Sequence, residues 1–183
     1  EFVSFIDQDD QIDDKIYVHL VNRIGQADLV VGSKKMQLIN KKHMVLSNVN
    51  YIYDEKLLSN QKEITYALFN LDHQMTFFHL WNCLYRKKII DDYQLTFDER
   101  FRYGQEDTLF NFNYVSRCQS IQLIPEIVYM YNQRELTSTS LKNNPLAIED
   151  FIRFIDTIRH LEWEEEAYFY YKKYSYTYFL RHG

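Results

Sequence analysis

Acidic residues crowd the end of the first apolar segment of the chain. Residues 2–6 have the apolar, Val- and aromatic-rich composition of a buried strand, and Asp7, Asp9 and Asp10 follow within four positions. Carboxylates this close repel one another, so the arrangement is costly unless a cation lies between them. Their oxygen atoms suit hard divalent cations such as Mg²⁺ or Mn²⁺. In open α/β sheets, ligands bind beyond the carboxyl ends of strands, which is where these residues fall.

A solvated acidic turn that caps the next helix is the main alternative for this segment. On its own, an Asp-x-Asp pattern favours that plain turn over a metal site. A calcium-binding EF-hand loop does not fit, because Ile12 and Val18 stand where Gly and Glu are required. A phosphatase of the aspartyl-phosphate type fits poorly, since Gln11 replaces its usual small β-branched residue.

The segments that follow predict strands mixed with helices, which indicates an α/β sheet. Asp13 and Asp14 offer N-cap character before a helix that ends near Gly25. The apolar patterns predict strands at 2–6, 29–31, 80–85 and within 121–131, a hairpin at 36–46, and helices at 55–70, near 109–115, at 147–161 and at 164–180.

Composition excludes several classes of protein. The 183 residues suffice for one domain with a real core, and only four Gly and two Pro argue against a flexible linker. A net charge of −5 argues against a nucleic-acid partner, which normally meets a basic face. No run of 18 apolar residues is present. Cys83 and Cys118 lack metal-ligand spacing and predict buried free thiols in a reducing, cytoplasmic compartment.

Four blocks of sequence resemble motifs of family-2 glycosyltransferases, and they occur in that family's order. Residues 5–12 (FIDQDDQI) resemble its "fLDsDDwi" block, and residues 81–90 (WNCLYRKKII) resemble "w.klyrrs.l". Residues 97–108 contain FDE and GQEDT, which are similar to "F.e....gEDt.f". Residues 129–140, with YMYNQR and STS, resemble "Y.Y..r..S.s". The four blocks together are far more specific than any one of them, and they most resemble bacterial enzymes of surface-polysaccharide synthesis.

The resemblance implies a GT-A fold, a nucleotide-sugar donor and a divalent metal, Mn²⁺ or Mg²⁺. By this resemblance, Asp9 ligates the metal, Asp7 lies against the donor ribose or in the metal shell, and Asp10 supports the site. Negative charge develops on the departing diphosphate, and a divalent ion would stabilise it. Arg134 is a candidate diphosphate clamp, since a guanidinium matches phosphate oxygens in a bidentate way, although an exposed loop arginine is equally consistent.

Transfer with inversion also needs a carboxylate that takes the proton of the acceptor hydroxyl. Asp107 is the candidate for that base, and Glu106 would bind or orient the acceptor, a saccharide or a lipid-linked sugar. Locally, Asp107 also fits an ordinary helix N-cap, and the two roles can coexist. Gly104 would let the backbone approach the ligand closely. Trp81 is a candidate for stacking on an acceptor sugar, although a half-buried core Trp is more common.

The motifs divide the chain at about residue 144. Residues 1–144 are expected to form part of a GT-A catalytic domain, with the metal site and the acceptor half, and residues 145–183 a helical extension. The family's opening strands, which read the nucleobase, have no counterpart here, so we expect a piece of a longer protein that is inactive alone. Tyr and Phe crowd residues 163–179, which predicts packing on the core, docking of a second copy of the chain, or at most peripheral contact with the inner face of the membrane.

Two other classes of function stay open at this stage. A different two-carboxylate metal enzyme, such as a nucleotidyltransferase, would use Asp7 and Asp9 similarly but gives no account of residues 104–107. A non-catalytic interaction module would give the acidic residues no functional role. The glycosyltransferase interpretation predicts that Asp7 and Asp9 converge at the end of the first strand and that Asp107 faces them across a cleft.

Overall fold

The computed structural model describes residues 1–7, 10, 12, 15–70, 79–102, 104–134 and 146–160. Within these residues, six strands and five helices follow one another along the chain. They are β1 (Phe2–Val3), α1 (Ile16–Ile24), β2 (Leu29–Ile39), β3 (Val45–Tyr51), β4 (Lys56–Leu58), α2 (Gln61–Asn70), β5 (Cys83–Arg86), α3 (Lys87–Asp92), α4 (Glu106–Val115), β6 (Ile121–Arg134) and α5 (Leu146–Arg159).

The strands form one mixed sheet in the order β1-β5-β2-β6-β4, and β3 pairs with β2 beyond the end of β5. The β2–β6 pair is parallel and runs from Leu29 opposite Ile121 to Ile39 opposite Arg134, whereas the other pairs are antiparallel. The predicted α/β class is therefore confirmed. Since β2 and β6 are parallel, their carboxyl ends lie at the same edge of the sheet.

Several predicted elements differ from those observed: β1 covers only Phe2–Val3 of the predicted strand 2–6, and helix α3 was not predicted. Residues 55–70 were expected to form one helix, but β4 pairs with β6 and the helix α2 begins only at Gln61. The boundary has a local cause: the Asn60 side chain accepts a hydrogen bond from the Glu63 amide at 2.9 Å, and the Glu63 carboxylate accepts one from the Ser59 amide at 3.0 Å. This reciprocal capping satisfies amides that the first helical turn leaves unpaired. The second strand also extends well beyond the predicted 29–31, because β6 and β3 pair with its polar half.

The core occupies both faces of the sheet. On one face, α1 buries Ile16, Leu20 and Ile24, which are spaced by four residues along a single stripe of the helix. They pack with Val30 of β2 and Leu84 of β5. The opposite face carries the alternate side chains of the same strands, as the two-residue period of a strand requires. That face packs against α2, α4 and α5.

Helix α5 packs into this second core through Phe151, Phe154 and Ile158, and Phe154 makes an edge-to-face contact with Phe112 of α4 at 5.4 Å between ring centroids. The division at residue 144 stays a prediction. The expected aromatic helix at 164–180 lies outside the described residues. Among the helices that the structure describes, none is long and apolar enough to cross a membrane.

Candidate active site

An aromatic contact brings the two acidic segments of the sequence together. The ring of Phe5 meets the ring of Phe110 on α4 edge-to-face at 5.4 Å, and it meets Phe97 and Tyr85 at 5.5 Å. Asp7 follows Phe5 by two positions. One helical turn, three residues, separates Phe110 from Asp107, so both belong to the same side of α4. The packing of Phe5 therefore places Asp7 near the first turn of α4.

Asp107 occupies a partly buried position that disfavours its charge. Burial is the largest cause, and the negative charges of Glu106 and Asp7 add to it. Together they raise the pKa of the Asp107 carboxyl to about 6. A carboxyl with a pKa near 6 is half-ionised close to neutral pH, which suits a general base.

The backbone before α4 explains how these carboxylates are presented. Gly104 has φ +125° and Gln105 has φ 75°, so two successive residues adopt the left-handed region before the helix begins at Glu106. Gln105 is the N-cap residue and forms no side-chain capping bond. Asp107 is thus the second residue of the helix and not its cap, contrary to the alternative considered from the sequence. A side chain at Gly104 would meet no atom of the described residues within 4 Å, so this backbone borders open space in the described part of the chain.

Glu106 carries a polar atom that lacks a hydrogen-bond partner. Its Oε2 atom is buried and has none among the described residues. A buried acceptor left in this state costs about 1–3 kcal/mol, and more when it is charged. A donor group from a bound molecule would remove that cost.

The other end of the acidic segment is tied to β6. Tyr129 donates its hydroxyl proton to Asp10 Oδ2 at 3.0 Å and accepts a hydrogen bond from the Asp7 amide at 3.3 Å. The Asn132 amide lies 3.5 Å from Asp10 Oδ1. Both oxygens of Asp10 therefore face donors of β6, in keeping with a supporting role for this residue. Arg134, two residues beyond Asn132, ends the same strand.

Trp81 lies inside a stack of rings and not on an open surface. It is 3% exposed, and it stacks with Tyr129 at 4.3 Å, His79 at 4.7 Å and Tyr131 at 5.7 Å between centroids. Its indole has no open face for a sugar in this arrangement. The core role weighed from the sequence is what the structure shows.

Sequence reasoning missed Lys34, which lies beside this stack. Its side chain is fully buried, with Nζ 5.4 Å from the centroid of the Trp81 ring and 5.9 Å from that of Tyr51. Burial lowers the pKa of the Lys34 ammonium to about 7, and burial with the nearby Lys34 charge lowers the pKa of His79 to about 3. Lys34-Lys35 gives no signal in the sequence, since paired lysines normally indicate a solvated surface.

The donor atoms present suit a hard divalent cation. Asp7 is exposed, and its negative charge is among the causes that raise the pKa of the Asp107 carboxyl, a repulsion that a cation would relieve. Among the described residues, no group of three or more Asp, Glu, His or Cys side chains forms a complete metal site. Asp9, the predicted principal ligand, lies outside the described residues.

The mixed sheet flanked by helices has the GT-A-like fold of known glycosyltransferases, as the sequence motifs implied. No family model matches the chain. A curated relative, the uncharacterized glycosyltransferase EpsJ of Bacillus subtilis (strain 168), is 21% identical over 146 residues, which are 79% of this chain and 41% of the relative. The chain therefore spans less than half the length of that relative.

Solved structures of S. aureus TarS share the fold. The complex of TarS 1-349 with UDP-GlcNAc superposes with a TM-score of 0.64 at 18% identity, over 95% of this chain and 47% of TarS 1-349. The complex with UDP gives a TM-score of 0.62 at 17% identity, over the whole of this chain and 47% of the other. At these identities the likeness establishes the fold, and the chemistry has to be argued from the residues of this chain.

Proposed function

We propose that this chain forms the metal-binding and acceptor half of an inverting glycosyltransferase that uses a nucleotide-diphosphate sugar. The observation that carries the proposal is the packing of Phe5 against Phe110, which brings Asp7 to the first turn of α4, where Glu106 and Asp107 lie. A purely structural acidic turn would have no reason to face a second pair of acidic residues. The fold likeness to a protein solved with UDP-GlcNAc and with UDP supports a nucleotide-sugar donor.

Asp107 would accept the proton of the acceptor hydroxyl as that oxygen attacks the anomeric carbon from the face opposite the departing diphosphate. One base and one direct displacement invert the configuration at that carbon. The raised pKa of Asp107 makes it a stronger base than an ordinary carboxylate while leaving it ionised above about pH 6.

Glu106 would hold the acceptor. Its buried Oε2 lacks a donor among the described residues, and a sugar hydroxyl supplies one. The open space beside Gly104 leaves room for that sugar next to the backbone. The acceptor class proposed is a saccharide or a lipid-linked sugar.

Asp7 and Asp9 would hold Mn²⁺ or Mg²⁺ together with the donor diphosphate, and Asp10 would support them from β6. Bound there, the cation stabilises the negative charge that develops on the diphosphate. Arg134, at the same edge of the sheet, would add a second positive contact for phosphate oxygens.

Calorimetric titration of UDP into the full-length protein tests this proposal. We expect binding in the presence of Mn²⁺ and a loss of at least about tenfold in affinity when EDTA replaces the metal, because the carboxylates alone repel the diphosphate. Magnesium should restore binding. Equal affinity with and without metal would contradict metal-dependent donor binding, and failure to bind UDP under either condition would contradict a uridine nucleotide donor.

A further inference from the structure

Tyr129 is the side chain through which the sheet holds the acidic segment. One hydroxyl group makes two hydrogen bonds, donating to Asp10 Oδ2 at 3.0 Å and accepting from the Asp7 amide at 3.3 Å. These bonds span 119 and 122 positions of sequence, so they are tertiary contacts and not part of a local turn. The Asp10 amide also donates to the Asp7 carbonyl at 3.2 Å, which ties these two residues to each other.

The ring that carries this hydroxyl is fixed on the side away from the acidic segment. Tyr129 is 2% exposed, and its ring stacks on Trp81 with centroids 4.3 Å apart and planes 21° apart. Trp81 is itself buried and stacks on His79. A ring held by stacking presents its hydroxyl in one place, so the position of Asp7 and Asp10 follows from that of the aromatic stack.

The bond to Asp10 is a strong one of its kind. The acceptor of the Tyr129 hydroxyl proton is a carboxylate, and hydrogen bonds to charged groups are about twice as strong as neutral ones.

We propose that Tyr129 is a positioning residue, which fixes Asp7 and Asp10 so that the acidic site is preorganised for a cation and the donor diphosphate. This inference rests on the proposed function for its purpose, but the fixing of the segment can be measured independently. It also gives Trp81 a function beyond filling the core. Its indole stacks on the ring of Tyr129 and thereby helps to fix the Tyr129 hydroxyl that bonds Asp10.

The test compares two tyrosine variants on the same strand in the full-length protein. Tyr129→Phe deletes the hydroxyl and keeps the ring that stacks on Trp81. Tyr131→Phe is the matched control, because Tyr131 belongs to the same stack and its hydroxyl makes no hydrogen bond within the described part of the chain. Hydrogen exchange at the Asp7 amide reports on the segment, and titration with Mn²⁺ followed by electron paramagnetic resonance reports on the cation.

We expect Tyr129→Phe to speed exchange at the Asp7 amide and to weaken Mn²⁺ binding by about 10–100-fold, the usual effect of removing a group that orients a metal ligand. Tyr131→Phe should change neither. Asp10→Ala removes the acceptor of the Tyr129 hydroxyl but leaves that hydroxyl as the acceptor of the Asp7 amide, so it should speed exchange less than Tyr129→Phe does. Because the two changes share the Tyr129–Asp10 bond, the double variant should speed exchange by less than the sum of the two single effects.

Unchanged exchange and Mn²⁺ affinity in Tyr129→Phe would overturn the inference, as would equal effects of the two tyrosine variants. A third outcome is that Tyr129→Phe speeds exchange at the Asp7 amide but the wild-type protein does not bind Mn²⁺. That result would support the positioning role of Tyr129 and contradict the metal-dependent function. If Tyr129→Phe fails to fold, the exchange measured in Asp10→Ala decides between the same outcomes.

Discussion

Replacing Asp107 by Asn is expected to lower glycosyl turnover by the full-length protein by about 10²–10⁴-fold, the usual contribution of a general base, with little change in donor affinity. The amide keeps the size of the carboxyl but cannot accept the proton of the acceptor hydroxyl. In the wild type, turnover should rise about tenfold per pH unit and level off near pH 6, where the Asp107 carboxyl ionises. The variant should lose this acidic limb of the profile.

The free energy of unfolding of Asp107→Asn shows whether a loss of turnover comes from the missing base or from a destabilised fold. The pKa of Asp107 is raised in the fold from 3.8 to about 6, so the wild type loses stability as pH rises from about 4 through about 6. This rise corresponds to about 3 kcal/mol, which partial exposure to solvent reduces to about 1–2 kcal/mol. Urea unfolding should therefore find Asp107→Asn more stable than the wild type at pH 8 and equal to it below pH 4. A variant that is inactive and also less stable at pH 8 would contradict the assignment.

Replacing Asp9 by Ala is expected to weaken binding of the metal and diphosphate by about 10²–10³-fold, the cost of removing one partner of a close pair of opposite charges. The loss should appear in calorimetric titrations of UDP with Mn²⁺ and should be small in EDTA, where no cation joins the carboxylate to the ligand. This pattern is the reverse of that expected for Asp107→Asn, which acts on turnover.

A matched control for Asp9→Ala is Asp92→Ala on α3. Asp92 is a surface carboxylate that pairs with Lys88 within one helix, and such exposed pairs contribute at most about 1 kcal/mol. We expect this variant to bind UDP and Mn²⁺ as the wild type does. If both variants lost the same affinity for UDP and Mn²⁺, binding would depend on the overall negative charge of the protein and not on Asp9 as a metal ligand.

Much of the fold follows from short-range patterns in the sequence. The apolar residues Ile16, Val18, Leu20 and Val21 before Gly25 predict α1, although Val18 and Val21 prove to be exposed, and the polar turn around Lys41-Lys42 predicts the hairpin between β2 and β3. These elements were predictable because their hydrophobic period and their turn chemistry lie within a few residues. The helix expected at 55–70 failed for the opposite reason, since β4 exists only through its pairing with β6.

The candidate site was predictable in part. The acidic residues stand out locally, but their approach to one another depends on Phe5 and Phe110, two aromatic residues that by themselves indicate only a core. The role of Tyr129 depends on a contact across 119 positions, which no local pattern encodes. The resemblance to known motifs predicted the order of the blocks. The structure was needed to find that Tyr129 bonds Asp10 and stacks on Trp81.

An anomalous difference map from crystals of the full-length protein with Mn²⁺ and UDP tests the central claim most directly. We expect a manganese peak bound by Asp9 and Asp7, with the Asp107 carboxylate facing it across the acceptor cleft and Tyr129 bonded to Asp10. A manganese peak bound elsewhere, or UDP bound away from these carboxylates, would contradict the proposed function.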